Sequence, residues 1–181
     1  MLESFERRGI PIAFHGVERL IAACARNQGA TIRSISESEP ELVRELLTQG
    51  GTLLAEFAGT ANTDGVRLLL ELGVDVGALY KEGDGYFDIA KDSTALHVAA
   101  WRAWHRTVRL LIERGAPIEA RDGKGRTALA MAVRACVDWY WVDRRSPESV
   151  QALLHAGASV SGGSFPSGYA EVDELLRRHC H

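Results

Sequence analysis

The residues able to do chemistry in this 181-residue chain are six histidines, three cysteines and 24 acids, and spacing decides what they could do. The chain has no His-Glu-x-x-His and no Cys-x-x-Cys, so the common zinc spacings are absent. His179-Cys180-His181 has metal-ligating types, but these are three consecutive residues at a frayed terminus, which fits a flexible tail better. Asp92, Ser93 and His97 are close in sequence, yet nothing pairs them as base and nucleophile. A small hydrolase using the His97 and His105 region is the enzymatic alternative. Gly123-Lys124-Gly125 lacks the phosphate-loop length and the following Ser or Thr, and reads as a hairpin tip. Gly162-Gly163-Ser164-Phe165-Pro166-Ser167-Gly168 is not a Gly-x-Ser-x-Gly elbow and reads as a linker. The expectation is a non-catalytic chain with no metal and no cofactor.

Composition supports that expectation. Hydrophobic residues make up 46% and charged residues 25%, a soluble globular profile with enough length for one core. The net charge of −3 is too small to imply nucleic acid as a partner. Its distribution is uneven. Residues 35–88 carry eleven acids against three bases, and residues 100–145 carry ten bases against five acids. That asymmetry either orients a charged partner or reflects ordinary variation of solvated faces. No apolar run approaches a membrane span, and the N-terminus lacks a signal-peptide core. Cys24, Cys136 and Cys180 are far apart and odd in number, which fits a reducing cytoplasm. Cys24 and Cys136 lie in apolar helical contexts that would bury them.

The elements that position these residues recur. Thr94-Ala95-Leu96-His97-Val98-Ala99-Ala100 is followed by Val108-Arg109-Leu110-Leu111-Ile112-Glu113-Arg114-Gly115-Ala116. Thr52-Leu53-Leu54-Ala55-Glu56-Phe57-Ala58 is followed by Val66-Arg67-Leu68-Leu69-Leu70-Glu71-Leu72-Gly73-Val74, so both run 21 residues from threonine to glycine. A third copy starts at Thr127, 33 residues after Thr94, and a weaker one at Glu18, 34 before Thr52. The small Ala99 and Ala100 admit a close neighbour, and Val108, Leu110 and Leu111 make an apolar helical stripe. Gly115 suits a left-handed helix end. One such helix pair cannot bury both its faces, so the copies must stack.

A 33-residue period with a Thr-x-Leu-His-x-Ala-Ala start and a Leu-Leu-x-x-Gly-Ala finish resembles the ankyrin repeat. The wording of residues 86–90 and 136–138 resembles bacterial ankyrin proteins of unassigned function. The resemblance implies an all-α ankyrin-type helical solenoid of about four helix-pair repeats with capping helices and short hairpin loops. The expected divisions of this single domain, 1–181, are an N-terminal half-repeat over 1–17, repeats over 18–51, 52–93, 94–126 and 127–163, and a cap over 164–181. The half-repeat would leave Phe5 partly exposed. His97, with Thr94 and Thr127, would brace neighbouring loops. Partners in this family usually lie across hairpin tips and the first-helix face. Carried onto this chain, those positions are Lys91, Ser93, Trp101, Arg102, Lys124, Arg126 and Arg134. Trp104 stands where the family usually has glycine, so the first helix could run longer and gather Trp101, Arg102 and His105 into one exposed cluster.

Three interruptions break the period. Leu42-Val43-Arg44-Glu45-Leu46-Leu47 reads as an extra short helix after Pro40. Thr52 to Thr94 is 42 residues, nine more than 33, and the extra material around 80–88 reads as a loop inserted in a hairpin, whose aromatics either cover the core or touch a partner. Thr127 to Gly157 is 30 residues, nine more than 21, with the addition at 137–145. There Trp139, Tyr140, Trp141, Arg144 and Arg145 either contact a partner or pack an extended helix end.

The leading expectation is a protein-interaction module that uses the hairpin tips, the first-helix face and the 137–145 insertion, for which an acidic protein surface would suit the cations. The alternative is a regulatory or targeting part of a larger enzyme or effector. The chain is expected to be a monomer or to self-associate weakly, through apolar surface at the truncated first repeat.

Overall fold

The chain turns between helices in the same way three times. Helices α1 (Val17–Ala25) and α2 (Gly29–Ser38), α4 (Gly50–Gly59) and α5 (Thr63–Glu71), and α6 (Ala95–Trp101) and α7 (His105–Glu113) form three pairs. In each turn one residue is left-handed: Asn27 at φ 55°, Ala61 at 61° and Ala103 at 54°. The amide of the next residue, Gln28, Asn62 or Trp104, then donates to the carbonyl of Ala23, Phe57 or Ala99 at 2.9–3.0 Å. Trp104 therefore does not lengthen α6, contrary to expectation. Ala103 takes the left-handed conformation, and Trp104 falls on the capping residue before α7, at φ −91° and ψ 73°.

This computed structural model describes residues 14–160 and 166–180, and only the backbone at Trp139 and Tyr140. The expected half-repeat around Phe5 and the linker through Gly162 and Phe165 lie outside the described residues. Helix α3 (Pro40–Thr48) stands between the first two pairs. Its proline occupies the first turn, where no amide partner is needed, and Leu42 and Leu46 are buried where it meets α1 and α2. The last pair, α8 (Ala128–Val137) and α9 (Glu148–His155), is separated by a 3-10 helix, Trp139–Arg144, and α10 (Ala170–His179) follows.

Two rows of helices share the core. Helix α6 packs between α4 and α8, with alanines 55, 58, 95, 99, 100, 128, 132 and 135 buried along the seam. Small side chains there let the backbones approach closely. In the second row α7 packs between α5 and α9, and α10 closes the end on α9. Val66, Val108 and Val150 are wholly buried, as are Leu69, Leu111 and Leu153. Each such leucine stabilises the stack by roughly 1.5–3 kcal/mol. The second row ends on Gly73, Gly115 and Gly157, all left-handed, whose following amides close onto the carbonyls of Leu69, Leu111 and Leu153. A Cβ would meet nothing within 4 Å at any of the three, so handedness rather than space selects glycine.

Thr94 and Thr127 cap α6 and α8, but Thr52 lies inside α4, which starts two residues earlier because α3 runs straight into it. Thr52 instead donates to Glu82 at 3.2 Å. Residues 80–88, expected as a loop inserted in a hairpin, lie within one. Strand β1 (Leu79–Tyr80) pairs antiparallel with β2 (Ser93–Thr94), and Asp84 bridges Ile89.

Candidate protein-binding surface

Both insertions fold over the end of α6. The hairpin insertion carries Asp88, left-handed at φ 54°, to the centre of a cation cluster. Asp88 accepts from Arg126 Nη1 at 2.9 Å and Arg134 Nη1 at 2.8 Å, and pairs with Lys124 as well. Burial works to raise its pKa, but the hydrogen bonds from Lys124, Arg134 and Arg126 outweigh it and hold the carboxyl well below the usual carboxylate range. Arg126 is also held by the buried Asp122, 2.8 Å from its Nε. Three of the cations expected to meet a partner are thus already satisfied by the chain's own carboxylate.

The second insertion arrives through aromatic contacts. Trp101 is buried, donates its indole N–H to the Phe87 carbonyl, and meets Trp141 edge-on at 5.9 Å. Arg134 lies over the Trp101 ring at 4.9 Å. A chain of cation–π contacts then crosses the surface. Arg102 lies 4.1 Å from the Phe87 ring and 5.2 Å from Trp141, and Arg144 lies 4.6 Å from Trp141 and 3.9 Å from Trp104. Phe87, Arg102, Trp141, Arg144 and Trp104 thus alternate ring and cation across both insertions. Burial first, and then the charge of Arg144, lowers the pKa of Arg102.

The histidines act as braces. His97 is buried; its Nδ1 accepts from the amide and hydroxyl of Thr94, and its Nε2–H donates to the carbonyls of Ala120 (3.1 Å) and Arg126 (3.0 Å). Burial lowers its pKa, so the neutral ring is favoured. His105 accepts from the Ser149 hydroxyl at 2.7 Å and donates to the Arg144 carbonyl at 3.2 Å. Ser149 is buried and the other ring nitrogen faces a main-chain carbonyl, so the pair pins the second insertion rather than presenting a nucleophile. Burial pushes the thiols of Cys24 and Cys136 up to about 11, which keeps them protonated.

The expected exposed cluster of Trp101, Arg102 and His105 is therefore absent. Trp101 is buried, and the other two are half-buried under the insertions. Ser93 is buried too, its hydroxyl donating to the Ala90 carbonyl. Lys91 is exposed at the hairpin, while its carbonyl receives the Gly123 amide of the next tip. Trp141 is buried; Arg144 and Arg145 are half-buried, and the side chains of Trp139 and Tyr140 lie outside the described part. The surface that remains open presents Tyr86, 86% exposed, and Val142, 58% exposed, one on each insertion. Spacing could not have found Phe87, Asp88 and Trp104 as organising residues. The only hint was an acid-rich stretch, residues 35–88, followed by a base-rich one, residues 100–145.

Residues 57–162 match the model for ankyrin repeats (3 copies). The chain belongs to the ankyrin-repeat family, whose arrays are generally non-catalytic protein–protein interaction modules. It is 34% identical over 84 residues to serine/threonine-protein kinase 12 of Arabidopsis thaliana, a match covering 46% of this chain and 16% of the kinase. Among the described residues no helix is long and apolar enough to cross a membrane.

Proposed function

We propose that this module binds its protein partner across the face built by the two insertions on α6, flanked by the hairpin tip at Lys91. The supporting observation is that Tyr86 and Val142 are held out to solvent on ordered supports, which is where large contact area costs least conformational entropy. Lys124, Arg126 and Arg134 contribute through Asp88, by fixing the hairpin insertion, rather than by meeting the partner directly. The buried thiols suit a reducing cytoplasm. Affinity capture with wild type and a Tyr86→Ala/Val142→Ser pair tests the reading. The pair should lose a partner that wild type recovers, and equal recovery of every partner would sink it. Both changes are on the surface, so folding should be preserved.

A second reading follows from the kinase match: the array serves as a regulatory or targeting part of a larger enzyme. The mass of the gene product in its native cells decides this. A product no larger than this chain removes the idea.

A further inference from the structure

Arg102 and Arg144 differ from four other cations around the insertion face. Lys124, Arg126 and Arg134 share Asp88, and Arg109 pairs with Glu148. Neither Arg102 nor Arg144 has a carboxylate at hydrogen-bond distance among the described residues. Asp84 acts on Arg102, and Asp143 on Arg144, only through its field. The Nε of Arg102 is buried without a hydrogen bond. Both guanidiniums are half-buried and approach the same Trp141 ring, so two like charges are partly stripped of water side by side. Ring faces offset part of that cost. A guanidinium held over a ring still has its N–H bonds in its own plane, where a carboxylate is received in bidentate fashion.

We propose that Arg102 and Arg144 form a paired receptor for the Asp and Glu side chains of an acidic segment in the protein partner, with Tyr86 and Val142 as its apolar flanks. This rests on the reading that the insertion face binds a protein. Charge complementarity carries the assignment: the chain supplies a carboxylate for Lys124, Arg126, Arg134 and Arg109 but, among the described residues, none for these two. Although Arg145 also lacks one, it is Arg102 and Arg144 that share the Trp141 ring. The supports are already ordered by Phe87, Trp141 and Trp104, so little entropy is lost when a ligand arrives. A long polyanion fits poorly, because residues 35–88 carry a net charge of −8 from eleven acids and three bases.

The experiment selects short unmodified peptides from a displayed random library on the full chain. Recovered peptides are then titrated by fluorescence polarisation against wild type, Arg102→Gln/Arg144→Gln and Val142→Glu. The expected peptides carry paired Asp or Glu beside an apolar residue and bind more weakly as salt rises. The double glutamine variant should weaken them about tenfold or more, since charge-assisted hydrogen bonds are lost. Val142→Glu changes only an exposed residue, so it stays folded and should weaken the same peptides by like-charge repulsion even where the double variant proves unstable. Acid-poor peptides that bind all three proteins equally would overturn the carboxylate receptor while leaving the binding face intact. Recovery of no peptide, or binding only to phosphatidylserine vesicles, would overturn both the receptor and the reading beneath it.

Discussion

The two insertions are matched in length but held by different forces. Each adds nine residues to the period, by the spacings Thr52 to Thr94 and Thr127 to Gly157. The first has main-chain pairing beneath the ion pairs of Asp88, with β1 on β2, Asp84 on Ile89, and the Asp92 amide on the Tyr80 carbonyl at 2.9 Å. The second forms only a kinked 3-10 helix, and side chains hold it: Trp141 on Trp101, Arg144 on Trp104, and the imidazole of His105. A hairpin extended at its tip inherits the ladder of its own strands. A segment inserted between two helices inherits nothing and must be anchored by what its neighbours offer.

The sharpest way to break the contrast is at a buried residue that both insertions use. Trp101→Ala removes a buried indole, its hydrogen bond to Phe87, and the edge that meets Trp141. We expect a loss of about 3–5 kcal/mol, read as a lower denaturation midpoint. Hydrogen exchange should quicken in both insertions. Faster exchange in the second alone would show that the first depends on its ladder only.

Next comes Asp88→Asn, which unpairs Lys124 and Arg134, leaves Arg126 with Asp122 alone, and should cost about 1–3 kcal/mol. A folded-state pKa held below its ordinary value stabilises the protein above the unfolded pKa, roughly 4 for a carboxylate, and that contribution fades as the pH falls toward the folded value. Wild-type stability should therefore decline more steeply below about pH 4 than that of Asp88→Asn. Parallel declines in urea titrations would remove Asp88 from the account.

The same contrast explains what the sequence made legible. The repeat, its helix pairs and its glycine ends are local patterns, repeated in copies that check one another, and the helical solenoid could be read from them. Asp88 could not. Its role depends on the hairpin bending back over α8, and no spacing rule joins residue 88 to residues 124, 126 and 134. Trp101 misled for the same reason: its position is exposed in a plain array, and only the nine-residue additions cover it. Cations counted as free from sequence were neutralised by an acid that lies 36 to 46 residues away in the chain.

A smaller effect isolates the second insertion. His105→Ala leaves the buried Ser149 hydroxyl and the Arg144 carbonyl without their ring partner. The expected cost is about 1–3 kcal/mol, toward the lower end because the site is partly solvated. Limited proteolysis should then cut within residues 139–146 sooner, with the hairpin insertion unchanged. Simultaneous cutting in both would mean that the two insertions form one cooperative unit.

The smallest effect asks what the plain turn costs where no insertion replaces it. Ala61 and Ala103 hold left-handed backbones at φ 61° and 54°, whereas no described residue between α8 and α9 does. The insertion thus relieves a strain that the two preceding repeats retain. An alanine in this region costs about 1–2 kcal/mol, and glycine returns that at an entropic cost of about 0.5–1 kcal/mol. Ala61 is exposed, so Ala61→Gly should stabilise the chain by about 0.5 kcal/mol, the difference between those terms. Ala103 is 5% exposed, and its methyl contributes about 0.8 kcal/mol by burial, so Ala103→Gly should come out near zero or slightly negative. Paired urea titrations measure both. Equal gains would mean that the Ala103 methyl contributes nothing to the packing beneath the second insertion. A loss at Ala61 would mean that turn strain is not what the insertion removes.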